Sequence, residues 1–127
     1  MPRVCHFEIY ADNPERASGF YSSLFGWTFS KWDGPMEYWM VTTGPDSEPG
    51  INGGMMRRNH VIQGDSVIAF ICTVDVADID ATIAKITELG GLIAVPKMAV
   101  PGVGWMAYGK DTEGNLFSVM QMDEKAA

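Results

Sequence analysis

Two ionisable side chains, His6 and Glu8, stand two positions apart near the start of this chain. In an extended segment such residues share a face and lie ~7 Å apart. An imidazole titrating near neutrality can give or take a proton, and a carboxylate beside it can orient the ring or attract a cation. The pair is therefore a candidate for acid–base chemistry. The structural alternative is a satisfied histidine lining a pocket, with Glu8 paired at an interface between modules. Two such groups cannot hold a divalent ion usefully, because roughly three or four His or carboxylate donors are needed, with positions left open for substrate. The second histidine, His60, falls in a polar stretch read as a solvated linker. The sequence has no glycine-rich phosphate loop, Ser-His-Asp order or nucleophile elbow.

The element that positions the pair is a strand over residues 3–10, with Cys5, Phe7 and Ile9 on one face and His6, Glu8 and Tyr10 on the other. Asp12-Asn13-Pro14-Glu15 reads as a helix start, with Asp12 or Asn13 as cap and Pro14 in the first turn. Ala17, Phe20, Tyr21 and Leu24 recur at helical spacing as one apolar stripe, and Gly26 ends the helix. Strands follow at 27–32, 37–43 and 51–56, the last weakened by Gly53 and Gly54.

The same order then recurs. His6 to Gly26 and Ile71 to Gly91 are related by one shift of 65 residues (71 − 6 = 65, 91 − 26 = 65), which also sets Asn13 on Asp78 and Leu24 on Leu89. The second copy has strands at 67–76, 92–98, 105–109 and 116–121 and a helix at 78–89. The fold class is α+β, two tandem βαβββ modules in one domain. The expected divisions are module 1–58, linker 59–66, module 67–123 and a fraying tail 124–127. Cys5, Phe7 and Ile9 should pack under the first helix, and Phe70, Cys72 and Val74 under the second. With no CxxC spacing, Cys5 and Cys72 read as small hydrophobes. The other face carries His6, Glu8, Ile71, Thr73, Ser118 and Met120, a mixed surface suited to a ligand. Trp39, Met55 and Trp105 join that set as apolar walls, since Trp and Met grip flat or irregular molecules.

Composition narrows the partners. Sixteen acidic against nine basic residues give a net charge of −7. That excludes a phosphate-neutralising surface and so nucleic acid, and it favours cationic ligands. No apolar run reaches the ~18 residues of a membrane span. No membrane partner is expected, and a cytoplasmic location is.

The chain resembles the vicinal oxygen chelate superfamily, with its glyoxalase I, bleomycin-resistance and extradiol dioxygenase members. The resemblance rests on His6-Phe7-Glu8-Ile9, on Phe20-Tyr21-Ser22-Ser23-Leu24-Phe25-Gly26-Trp27, and on the turn Asp111-Thr112-Glu113-Gly114-Asn115 before the last strand. Ile51-Asn52-Gly53-Gly54-Met55 looks like an uncharacterised glyoxalase-like branch. The resemblance implies curled mixed sheets around a cup, helices on the outer face, and a homodimer. It maps the metal-ligand positions of metal-dependent members to His6, Gly53, Ile71 and Ser118. Only His6 is a good ligand. No cofactor is therefore expected, and the implied function is capture of a small organic molecule, cationic or aromatic. The alternatives are a metal-dependent lyase, isomerase or dioxygenase holding a divalent ion, or a metal-free enzyme using His6 and Glu8.

Overall fold

The computed structural model describes residues 2–59 and 68–127. His60, the rest of the expected linker beyond Asn59, and Val67 at the expected start of the second copy lie outside the described residues. The chain divides into two compact units, His6–Phe70 and Ile71–Ala127, the latter joined by Met1–Cys5.

The first unit is built from β1 (Val4–Ala11), α1 (Pro14–Phe25), β2 (Thr28–Lys31), β3 (Trp39–Thr42) and β4 (Gly53–Arg57). Its strands lie in the order β2-β3-β4-β1, with β1 and β4 parallel and the other pairs antiparallel. The Asn13 side chain caps α1 by accepting from the Arg16 N–H. Gly26 closes the helix with φ 75°, a left-handed conformation that costs glycine nothing. Phe7, Ile9, Ala11, Val41 and Met55 form the core on one sheet face, with Ala17 and Tyr21 of α1 packed against it. Phe20 and Leu24 were expected in that stripe but are exposed (61% and 57%). The core-facing stripe of α1 is thus narrower than its apolar periodicity.

The second unit repeats the order as β5 (Ile71–Asp75), α2 (Ile79–Glu88), β6 (Leu92–Val100), β7 (Gly104–Lys110) and β8 (Leu116–Met122). Here β5 and β8 are parallel, and β8, β7 and β6 run antiparallel in turn. Asp78 caps α2 through the Ala81 N–H, the same device as Asn13 at the 65-residue shift. Val76, Ile79, Ala107 and Val119 form this core. The fold is α+β, two βαβββ modules in succession. No helix among the described residues is long and apolar enough to cross a membrane.

Three packing expectations are corrected. Cys5 and Cys72 are exposed, the former with its thiol 3.7 Å from the Thr73 carbonyl. Phe70 packs within the first unit: it precedes β5 and stacks on Phe7 (5.7 Å between centroids), with its edge to Tyr21. The tail does not fray, because Ala126 is buried and its carbonyl accepts from the Gly102 N–H at 3.0 Å.

Met55 is the largest fully buried side chain among the described residues and sits in the first core. Met55→Ala should destabilise the protein by about 2–5 kcal/mol, read as a lowered urea midpoint; a change below ~1 kcal/mol would mean that the core does not close around it.

Candidate functional site

The strand ladders decide which side chains meet. In β1 the pairs are Phe7 with Gly53, Glu8 with Gly54, and Ile9 with Met55. Residues paired across a parallel ladder point to the same face, so Glu8 and Gly54 share one face while Gly53 sits with Phe7 on the other. A Cβ on Gly53 would lie 2.6 Å from the Phe7 ring. A Cβ on Gly54 would instead run into the Tyr38 hydroxyl. In the second module the matching pair is Thr73 with Ser118. The shift between copies is therefore 65 for the first strands (73 − 8 = 65) but 64 for the last (118 − 54 = 64). The position corresponding to Ser118 is Gly54, not Gly53 as expected.

Gly54 leaves the space through which Tyr38 reaches β1. Tyr38 precedes β3 and is held by its own backbone, whose carbonyl accepts from the Trp32 N–H at 2.8 Å. Its hydroxyl lies 2.9 Å from His6 Nε2 and donates to Glu8 Oε2 at 3.2 Å. The Tyr10 hydroxyl donates to Glu8 Oε1 at 2.6 Å. Glu8 is 6% exposed, so these donors replace the water a carboxylate would otherwise hold. A phenol has one proton. With that proton given to Glu8, the Tyr38 oxygen accepts from His6, which makes Nε2–H the tautomer consistent with the network. The result is a chain of hydrogen bonds from imidazole through phenol to carboxylate, with a second phenol on the far oxygen.

The electrostatics follow from burial. Desolvation, reinforced by the Glu8 charge, pushes the Tyr38 phenol far above its usual range, so it remains a proton donor at neutral pH. Desolvation pulls His6 below its ordinary 6.5, and Glu8 offsets this only in part. The imidazole is therefore neutral at physiological pH.

The remaining expected site residues fall into two groups. Trp39 and Met55 are cross-strand partners packed in the first core, on the face opposite Glu8. Trp105 packs against the second core, with its indole N–H donating to Asp123 at 3.1 Å and Lys97 4.9 Å above its ring. These three are corrected from the mixed face to the core side, because the period-two rule had not been anchored to a register. Thr73 and Ser118 do come together on the other face of the second unit, buried, with their hydroxyls 2.5 Å apart. Met120 shares that face, paired in register with Met106. Ile71 lies two positions from Thr73 on the same strand and face.

The donor set does not suit a divalent ion. No group of three or more His, Cys, Asp or Glu that could hold one occurs among the described residues. In the first module the imidazole nitrogen and the carboxylate are already bridged by a phenol, and the neighbouring position is a glycine. In the second, the two hydroxyls share one hydrogen bond, and neutral hydroxyls are poor ligands for a divalent ion.

Tyr38 and Gly54 escaped sequence reasoning. The double glycine within a strand was the available signal, since it marks a close approach by another group. Tyr10 was placed on the correct face, but its bond to Glu8 was not foreseen.

The family of bleomycin resistance protein-like N-terminal sequences matches residues 3–44, the segment holding β1, α1, β2 and β3. No curated protein matches the chain. Among solved structures, the methylmalonyl-CoA epimerase of Mycobacterium tuberculosis aligns with TM-score 0.65 at 15% identity, over 94% of this chain and 87% of that one. The chain has the vicinal oxygen chelate fold. A variant of the Streptomyces coelicolor methylmalonyl-CoA epimerase, solved with 2-nitronate-propionyl-CoA, aligns over 100% of this chain and 99% of that one (TM-score 0.66, 16% identity). A hypothetical protein from Bacillus halodurans aligns over 98% and 97% (TM-score 0.66, 17% identity). At such identities the vicinal oxygen chelate likeness is one of fold alone.

Two outcomes test the network. Gly54→Ala should expel the Tyr38 hydroxyl and cost about 1–3 kcal/mol, as expected when a buried carboxylate loses a donor; an unchanged urea midpoint would contradict this. The lowered His6 value means that folding favours the neutral ring. Its contribution is complete above the unfolded value of 6.5 and is lost as pH falls through the lower folded value. The urea midpoint should therefore drop on going from about pH 7 to about pH 5, with a component absent from His6→Gln.

Proposed function

We propose that the chain captures a small organic molecule, cationic or aromatic, on the Glu8 face of the first module, without a metal of the family type. The supporting observation is the carboxylate itself. Glu8 is buried, both of its oxygens are held by phenols, and the His6 imidazole is tied to one of them, Tyr38. A preformed negative charge in a desolvated setting attracts a cation strongly. An exposed methionine, Met40, stands in register beside Gly54 and supplies apolar surface next to the charge. The acidic balance of the whole chain acts in the same direction. The matching bleomycin resistance protein-like family and the epimerase solved with a coenzyme A derivative agree with a small-molecule site at the level of fold. This reading takes the chain as a cytoplasmic homodimer.

A second reading is metal-free acid–base catalysis, favoured by the continuous His6–Tyr38–Glu8 chain. A neutral imidazole coupled through a phenol to a carboxylate can relay a proton. Metal-dependent lyase, isomerase or dioxygenase activity is the third reading, and it finds no donor set among the described residues.

Thermal denaturation against a broad compound library tests the first reading. Cationic aromatic compounds should raise the melting temperature, and Glu8→Gln should abolish the rise while remaining folded. A library without one stabilising compound would overturn it. Protein purified without chelator should carry less than about a tenth of an equivalent of Zn, Ni, Fe or Mn; a stoichiometric metal would favour the third reading.

A further inference from the structure

A cleft of about 380 Å³ opens where α1 meets the end of β1 in the first unit. Its volume lies within the roughly 300–1,000 Å³ typical of small-molecule sites. Ile9 and Ala11 of β1 line it, and these alternate with Glu8 along the strand, so the cleft belongs to the helix side of the sheet. From α1 the lining takes Ala17, Phe20 and Tyr21. Phe20 is the stripe residue that the core leaves 61% exposed. Its ring meets Tyr21 edge-on at 5.3 Å, and the two make one aromatic wall.

Two guanidiniums, Arg16 and Arg58, also line the cleft, against a single carboxylate, Asp12. Arg58 is anchored at both ends. Its backbone N–H donates to the Ala11 carbonyl at 2.8 Å, and its Nη2 donates to the Tyr10 carbonyl at 2.9 Å. Nη1 lies 3.3 Å from Asp12 Oδ2, and the Asp12 side chain is largely exposed. A guanidinium carries five N–H donors in a planar fork, and these contacts leave others for a ligand. The Arg16 side chain is exposed and joins no ion pair among the described residues. Glu15 and Glu37 do not line the cleft; their charges act on Arg57. The lining is therefore positive within a chain of net charge −7. At physiological ionic strength the Debye length is about 8 Å, so the lining groups outweigh distant acids.

We propose that this cleft binds a small aromatic carboxylate, with Arg58 and Arg16 holding the charge and Phe20 and Tyr21 the ring. The guanidinium fork matches a carboxylate in shape. The aromatic wall supplies apolar contact at small entropic cost. A singly charged group balances two cations and one anion. A phosphate monoester brings a charge of about −1.5 to −2 and exceeds that balance. The site lies on the opposite sheet face from Glu8 and takes a ligand of opposite charge, so either site stands if the other fails. The opposing possibility is that Arg58 is only a strap tying the end of β4 to β1, and that the cleft holds nothing but water.

Amide NMR titration of the full chain with benzoate, benzyl alcohol, phenyl phosphate and acetate gives affinity and location together. Benzoate should bind at least about tenfold more tightly than benzyl alcohol or acetate. The amides of Arg16, Ala17, Phe20 and Arg58 should shift with it. Arg58→Gln should weaken benzoate by about tenfold or more. Arg16→Gln and Phe20→Ala should each weaken it severalfold; both residues are exposed, so these variants carry the test if Arg58→Gln does not fold. Asp12→Asn should tighten it, because the competing carboxylate is gone. Benzoate binding no tighter than benzyl alcohol overturns the proposal, as does no binding at all. Tighter binding of phenyl phosphate overturns the ligand class. Shifts confined to other residues, or an unchanged benzoate affinity in Arg16→Gln and Phe20→Ala, overturn the location.

Discussion

A carboxylate removed from water must be given donors, and the first module is arranged around that requirement. Glu8 is the buried acid on β1, and two tyrosines answer it from different parts of the chain. Each bond constrains something larger. Tyr10 needs only the pleat of its own strand. Tyr38 needs the bend after β2, the anchoring bond from Trp32, and a residue without a side chain at position 54. Hydrogen bonds to a charged group contribute about 1.5–3 kcal/mol each, a large share of the margin by which a domain stays folded. The network thus links local backbone geometry to stability.

The two modules have answered the same position differently. Where the first places Glu8 beside Gly54, the second places Thr73 beside Ser118, two neutral hydroxyls joined by one hydrogen bond. A neutral pair of this kind needs no outside donor. At this paired position the first copy carries an acidic side chain and the second does not. Both helices keep the same capping chemistry, Asn13 in one and Asp78 in the other. The frame of the repeat persists while the residues facing away from the helices have diverged.

Much of the fold was legible in the sequence because its signals are local. Period-two alternation set the faces of β1, side-chain caps set the helix starts, and Gly26 set the end of α1. What was not legible depends on register. The 65-residue shift holds from strand to helix and then becomes 64, since 46 residues separate Glu8 from Gly54 but 45 separate Thr73 from Ser118. A shift of one residue exchanges the faces of a strand. It moved the matching glycine from 53 to 54, and without an anchored register Met55, Trp39 and Trp105 were assigned to the wrong side. His6 and Glu8 could be paired from spacing alone. Tyr38 could not, because it joins them from 30 or more residues away across a gap that sequence marks only as two glycines. The tail was read from its charge, whereas a single alanine, Ala126, ties it down.

The position of the Tyr38 hydroxyl decides between a site completed by the protein itself and a site built for a bound ion. A crystal structure of protein grown at neutral pH with Zn or Ni present would locate it directly. The account predicts the phenol oxygen within hydrogen-bonding distance of both His6 Nε2 and Glu8 Oε2, with no anomalous peak between them. Tyr38 turned outward, with a cation held jointly by the imidazole and the carboxylate, would contradict it.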